Sequence, residues 1–178
     1  MDNPPGSCRL CFVEIDGHSQ PITSCTAKAK EGMVVRTSTE QVRRLQRSAL
    51  KLLLSVHHVD CQHCPAHRKC ELQRIAKFLH VGLKLKGLGQ LEREAKAWQD
   101  HPCLEYIPNR CVLCGRCVFV CQKENGQALL SFAKRGFNTV ISFFGEDDRA
   151  RATCKECYAC AEICPVAALL IKPVVPMP

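Results

Sequence analysis

Cys111-Val112-Leu113-Cys114-Gly115-Arg116-Cys117-Val118-Phe119-Val120-Cys121 and Cys154-Lys155-Glu156-Cys157-Tyr158-Ala159-Cys160-Ala161-Glu162-Ile163-Cys164-Pro165 repeat one pattern, C-x2-C-x2-C-x3-C, with proline after the second run. A cubane of iron and sulfide needs thiolates arriving from several directions. Two-residue spacers supply three of them from one tight loop, whose backbone N–H groups turn toward the sulfurs. The fourth, three residues on, is expected to start a helix and serve the neighbouring cluster. One 4Fe–4S cluster is therefore assigned to Cys111, Cys114, Cys117 and Cys164, and a second to Cys154, Cys157, Cys160 and Cys121. Disulfides fit poorly, since three cysteines two residues apart in one loop cannot all pair without strain. A zinc ribbon uses paired C-x2-C knuckles and leaves the third and fourth cysteine of each run without a task.

The stretch resembles the two-cluster bacterial ferredoxin module. It departs from it in having Gln122 after Cys121 where proline is the rule, and in the long spacer of residues 122–153. Within that spacer the apolar run 137–144 is expected to form a strand pairing outside the minimal module.

Working outward, the 178 residues have room for one or two ordinary domains. The fifteen cysteines cluster at metal-ligand spacings, and the N-terminus carries neither a basic nor an apolar segment of leader type. A reducing cytoplasm suits them. No apolar stretch approaches the length of a membrane span, since the run at 49–56 is short and broken by Lys51. The formal net charge of +8 counts every cysteine as neutral. Two four-thiolate cubanes at about −2 each and one with three thiolates and an imidazole at about −1 leave roughly +3. The basic residues are spread along the chain, so a nucleic-acid footprint is not expected.

Residues 6–37 read as short strands and turns: 11–15 alternates, Asp16-Gly17 is a turn, and 21–25 and 33–37 are further strands. Cys8, Cys11 and Cys25 stand among them, three thiolates where a 2Fe–2S centre needs four. Thr37 with Glu40 signals a capping box. Val42, Leu45, Ala49, Leu52, Leu53 and Val56 then recur on one helix face, with Arg43, Arg44, Arg47 and Lys51 as a solvated side. Next come His57-His58-Val59-Asp60-Cys61-Gln62-His63-Cys64-Pro65-Ala66-His67-Arg68-Lys69-Cys70-Glu71-Leu72-Gln73. Three Cys and one His from this set also make a tetrahedral zinc site, and any of His57, His58, His63 or His67 has the reach. Leu72, Ile75, Ala76 and Leu79 predict a short helix ended by Gly82. His18, His80 and His101 have no ligand spacing and are expected on the surface.

Gly6-Ser7-Cys8-Arg9-Leu10-Cys11-Phe12-Val13-Glu14 resembles the closing half of the 2Fe–2S domain in the large iron–sulfur subunit family of respiratory complex I. That family includes the diaphorase small subunit of NAD-reducing hydrogenases, NAD-linked formate dehydrogenases and iron-only hydrogenases. The resemblance implies a β-grasp domain whose opening hairpin and first ligand are lacking here, and a truncated domain is the reading taken. A partner completing the cluster, or loss of the cluster with the fold kept, are the other two. Cys103 has no sequence position that recommends it as the fourth ligand. The resemblance also implies a His-ligated 4Fe–4S cluster on His57, Cys61, Cys64 and Cys70, with Cys-Glu-Leu-Gln closing the motif. His58 stands where the family often has proline.

The expected fold is therefore α+β. A truncated β-grasp 2Fe–2S-type half-domain occupies residues 1–37, and a helical His-ligated 4Fe–4S segment 38–82. A linker at 83–102 precedes a bacterial-type two-4Fe–4S ferredoxin domain at 103–172 and a proline-rich tail at 173–178. No nucleophile–base pair, open metal position or nucleotide pocket accompanies the ligands. Gly82-x4-Gly87 is followed by Leu88 where a phosphate loop needs lysine. The chain has no catalytic site of its own in this reading. It relays single electrons between a flavoprotein NAD(P)H-oxidising subunit and a catalytic partner, a hydrogenase, formate dehydrogenase or complex I-like enzyme, in a hetero-oligomer. A free-standing polyferredoxin and a zinc-bearing nucleic-acid-binding protein are the alternatives.

Overall fold

A computed structural model describes residues 4–94, 98, 101, 103–144, 152–154 and 157–173. The alternation read at the N-terminus becomes strand β1 (Phe12–Ile15), which buries Val13 and Ile15 and leaves Phe12 and Glu14 half-covered. It is the centre of a three-stranded antiparallel sheet between β2 (Ile22–Thr23) and β3 (Val35–Arg36). Phe12 lies opposite Thr23, and Glu14 opposite Arg36. Gly17, with φ +87°, makes the tight turn out of β1. The flanking Asp16 carboxylate is held by the Arg36 guanidinium.

The N-cap of helix α1 (Glu40–Ser55) is Thr39, two residues later than the Thr37 signal predicts. Thr39 takes that place because its Oγ1 accepts the Val42 amide at 3.2 Å while donating to Glu14 at 2.8 Å, a tie to β1 that Thr37 does not make. The buried face is also rotated from the one predicted. Val42, Gln46, Ala49, Leu50 and Leu54 point inward, whereas Leu52 is 63% exposed. The reason is that α1 serves two cores. Val42 and Gln46 pack on the sheet, where Gln46 Nε2 satisfies the Phe12 carbonyl at 3.1 Å. A turn further on, Leu50 and Leu54 enter the main core. Each such leucine contributes about 1.5–3 kcal/mol by leaving water.

Helix α2 (Glu71–Phe78) buries Leu72 and Ala76, with Leu79 buried just beyond. It ends at His80, whose φ of +54° breaks the helix before Gly82 is reached. Two of the arginines assigned to a solvated side tie α1 to α2 instead. Arg47 Nε donates to the Leu79 carbonyl at 3.0 Å, and Arg43 stacks over the Phe78 ring at 4.4 Å.

The last third is built on β4 (Leu104–Tyr106) and β7 (Leu169–Ile171), antiparallel with Tyr106 opposite Leu169. Between them run α3 (Arg116–Asn125), a hairpin of β5 (Leu130–Ala133) and β6 (Val140–Phe143), and α4 (Ala159–Glu162). The predicted strand at 137–144 is β6, and its partner β5 lies in the same spacer. α3 packs on both α4 and β5, so the spacer covers the helix that carries Cys117 and Cys121. Residues 83–94 form no helix or strand but are pinned, with Leu91 N donating to the Ser55 carbonyl at 2.7 Å. The charged run there continues into residues 95–97, and the tail into 174–178, both outside the described residues. Among the described residues no helix is long and apolar enough to cross a membrane.

Thr39→Ala removes the cap and the bond to Glu14 together. A loss of about 1 kcal/mol is expected, read as a lower melting temperature and faster amide exchange in the first turn of α1.

Candidate metal centres

His57, Cys61, Cys64 and Cys70 line one pocket with Val59, Leu72 and Val166. His57 ends the α1 segment and is 8% exposed. Its Nδ1 lies 2.8 Å from the Arg110 carbonyl oxygen, which fixes Nδ1 as the protonated nitrogen and leaves the Nε2 lone pair available to a metal. Burial lowers its pKa, favouring the neutral ring that a metal requires. His58 and His67 line the same pocket, and exposure is what sets the competitors apart from His57. His58, His63 and His67 are exposed, and His63 Nδ1 is engaged by Asp60 at 2.9 Å. Cys70 is the N-cap of α2, where the Leu72 and Gln73 amides reach its sulfur. Burial nevertheless pushes its thiol up, with Cys64 and Cys61 adding repulsion.

Cys111, Cys114, Cys117 and Cys164 line a second pocket, walled by Tyr106, Ile141, Val166 and Leu169. Leu113 N approaches Cys111 Sγ at 3.4 Å and Ala168 N approaches Cys164 Sγ at 3.2 Å. The buried Tyr106 hydroxyl accepts the Ile141 amide at 3.2 Å and hydrogen-bonds Cys111. Burial raises the Cys111, Cys114 and Cys117 thiols, and the other three sulfurs of the pocket and Cys160 add repulsion at Cys117.

Cys121, Cys154, Cys157 and Cys160 line a third pocket with Leu104, Leu130 and Tyr158. Burial and neighbouring cysteines push Cys154 up to about 11 and Cys160 to about 12. Cys121 does not start a helix as predicted. It sits inside α3, so that helix sends Cys117 to the second pocket and Cys121 to the third. Cys160 of α4 lines the third, and Cys164, just past the end of α4, lines the second. Four soft donors around one space, several of them raised by burial, fit a cationic iron–sulfide core. The first pocket offers three thiols and one imidazole to the same kind of core.

Cys8, Cys11 and Cys25 also stand together. Cys11 hydrogen-bonds the Cys25 thiol, and the Cys25 thiolate is disfavoured by both neighbours. They are three donors, with Cys25 exposed. Cys103 is remote from them: its Sγ donates to the Cys154 carbonyl at 3.0 Å. The expectation of a surface His101 fails, because it is 2% exposed, stacked between Trp98 and Phe143. Its Nδ1 accepts the Leu104 amide at 3.0 Å.

Sequence reading missed the backbone of these loops. Arg9, Arg68, Leu113 and Tyr158, one in each cysteine loop, all have positive φ between 47° and 66°. Such residues cost about 1 kcal/mol or more each and persist where the surroundings enforce them. They turn successive N–H groups to one side, an anion-binding concavity. No residue-type signal marks them, since none is Gly or Asn. Gly115 is the exception: at φ +75° it caps α3, and a Cβ there would lie 3.1 Å from Pro5 Cγ.

Comparison with known proteins accords with this arrangement. The family model of a 2Fe-2S iron-sulfur cluster binding domain matches residues 3–40. That of the NADH-ubiquinone oxidoreductase-G iron-sulfur binding region matches residues 46–82. The NADPH-Fe(3+) oxidoreductase subunit alpha of Geobacter sulfurreducens is 34% identical over 171 residues, 96% of this chain and 20% of that protein. The NADP-reducing hydrogenase subunit HndD of Solidesulfovibrio fructosivorans is 31% identical over 170 residues, 96% of this chain and 29% of that one. The chain thus spans about a fifth of the length of the first relative. A chain in the crystal structure of an NAD+-reducing [NiFe]-hydrogenase in the H2-reduced state superposes with a TM-score of 0.79 at 30% identity, covering 97% of this chain and 73% of that one.

Substituting the histidines in turn separates them. His57→Ala is expected to lower iron by up to about four atoms per chain, with the spectra of the other centres unchanged. His58→Ala is expected to leave iron content at the wild-type value.

Proposed function

The chain belongs to the iron–sulfur subunit family of respiratory complex I and the NAD(P)-linked hydrogenases, and on that premise we propose that it is an electron-relay subunit. It carries single electrons between a flavoprotein that oxidises or reduces NAD(P)H and a catalytic partner (a hydrogenase, formate dehydrogenase or complex I-like enzyme). It makes no two-electron chemistry of its own. The observation that carries this reading is the contiguity of the three four-donor pockets. Val166 lines both the first and the second, and α3 supplies Cys117 to the second and Cys121 to the third.

In this reading His57, Cys61, Cys64 and Cys70 hold one 4Fe–4S cluster. Cys111, Cys114, Cys117 and Cys164 hold a second, and Cys121, Cys154, Cys157 and Cys160 a third. When bound, each cluster takes up and releases one electron at a time. The protein's part is to fix the donors and adjust their charge. The imidazole of His57 removes one negative charge relative to thiolate, and its proton is held on Nδ1 by the Arg110 carbonyl. The Tyr106 hydroxyl and the Leu113 amide stabilise negative charge on Cys111. Apolar walls at Val166, Leu169 and Leu130 exclude water from the donors. Residues 103–172 act as the two-cluster ferredoxin module, and residues 1–37 as a 2Fe–2S-type half-domain whose Cys8, Cys11 and Cys25 need a fourth donor.

Ser7 Oγ donates to the Leu113 carbonyl at 3.0 Å, so the loop of Cys8 rests on the loop of Cys111 and Cys114. A hetero-oligomer in a reducing cytoplasm suits three cubanes and an exposed cysteine.

Anaerobically purified protein is expected to be brown, with roughly 12 iron and 12 acid-labile sulfide atoms per chain and no 2Fe–2S signal from this chain alone. Affinity capture from the native cell is expected to recover a flavoprotein in stoichiometric amount. Iron-free material that is nonetheless folded would remove the relay function, and a stable iron-loaded monomer that captures no flavoprotein would favour a diffusing carrier.

A further inference from the structure

Arg93 lies in the segment read from sequence as a charged linker, yet it is only 6% exposed. Burying a guanidinium costs several kcal/mol unless its charge and donors are met. Backbone carbonyls meet only part of its donor set, and the buried Nε has no hydrogen-bond partner among the described residues. Nη1 donates to the Pro108 carbonyl and, at 2.9 Å, to the Cys111 carbonyl. Its own backbone N–H donates to Asn109 Oδ1 at 2.8 Å. Its charge is not met in the same way: among the described residues no carboxylate pairs with it.

What surrounds it explains the placement. His58 N donates to the Asn109 carbonyl at 2.6 Å, His57 Nδ1 to the Arg110 carbonyl at 2.8 Å, and Gln90 Nε2 to the His57 carbonyl at 3.0 Å. Three pieces of chain, 55–58, 90–93 and 108–111, are therefore stitched together, with Arg93 at the seam. One end of that seam is the His57 pocket and the other is Cys111. The positive charge is held on the Cys111 carbonyl, one peptide from the Arg110 carbonyl that engages the His57 ring.

We propose that Arg93 is a positioning residue that clamps the Pro108–Cys111 carbonyls between the His57 and Cys111 cluster sites and, by its fixed buried charge, raises the reduction potential of both. Its counter-charge is the anionic clusters themselves. Each reduction adds one electron and one negative charge to a cluster, and a fixed cation nearby favours that more negative state. The third site, around Cys121 and Cys154, does not touch Arg93 and serves as an internal control. This inference rests on the ligand sets given under Proposed function.

The test is a potentiometric titration of the full anaerobic holoprotein with dithionite, followed by electron paramagnetic resonance, on wild type, Arg93→Gln and Arg93→Lys. In Arg93→Gln the ratio of reduced to oxidised cluster at a fixed potential is expected to fall about tenfold at the His57 and Cys111 centres, about 59 mV for one electron. The third centre is expected to be unmoved and the iron content retained. Arg93→Lys keeps the charge and loses the fork, so its ratios are expected within about threefold of wild type. Unchanged potentials in Arg93→Gln, an equal shift of all three centres, or a tenfold fall in Arg93→Lys would overturn the inference alone. Should Arg93→Gln lose its iron, the lysine variant decides on the same threefold-against-tenfold criterion. Fewer than three cubane signals in wild type would overturn the ligand sets, and this inference with them.

Discussion

Buried thiolates repel one another, and the whole architecture answers that constraint. Burial and neighbouring sulfur raise Cys111, Cys114, Cys117, Cys154 and Cys160 together, so bringing four of them to one space without a cation is unfavourable. What the protein provides in place of solvent is a set of oriented donors. The Leu113 and Ala168 amides, the Tyr106 hydroxyl and the N-terminus of α2 at Cys70 each stand against a sulfur. A bound metal core would supply the remaining charge and would couple folding of this region to its loading.

That orientation comes with backbone strain at one residue in each cysteine loop. Positive φ at Arg9, Arg68, Leu113 and Tyr158 is tolerated because each loop is braced by an element outside it. The Cys111 loop has β4 beneath it and Ser7 above. The Cys70 loop is joined to the far end of the chain, with Glu71 N donating to the Pro165 carbonyl at 3.3 Å. α1 links the N-terminal sheet to the main core by sending Val42 and Gln46 to one and Leu50 and Leu54 to the other. Loops that carry ligands are thus fixed by contacts distant in sequence, which suits centres whose mutual placement determines electron transfer.

Much of this was legible in residue order. Strict cysteine spacing announces which sulfurs leave one loop together, and the alternation at 11–15 announces β1 with its buried face. The helix at α1 was also legible, but not its rotation. Leu52 and Leu54 lie about 200° apart on the helix, on opposite sides of the Val42–Ala49 stripe, and only the presence of two cores chooses between them. Thr37 and Thr39 are equally good caps by type, and the Glu14 carboxylate, a contact from another strand, selects Thr39. His101 has no spacing to mark it, and it is buried because Trp98 and Phe143 close over it.

What the sequence determined by itself is the donor inventory: fifteen cysteines, their spacing and the histidine candidates, because ligand chemistry is local and each loop carries its own sulfurs. What tertiary structure decided is everything that depends on a second segment. It set the buried His57 imidazole against the Arg110 carbonyl and sent Cys103 to Cys154. It also buried the cation of Arg93 beside Cys111. Burial and hydrogen-bond satisfaction are properties of assembled surfaces, and no single stretch of chain contains them.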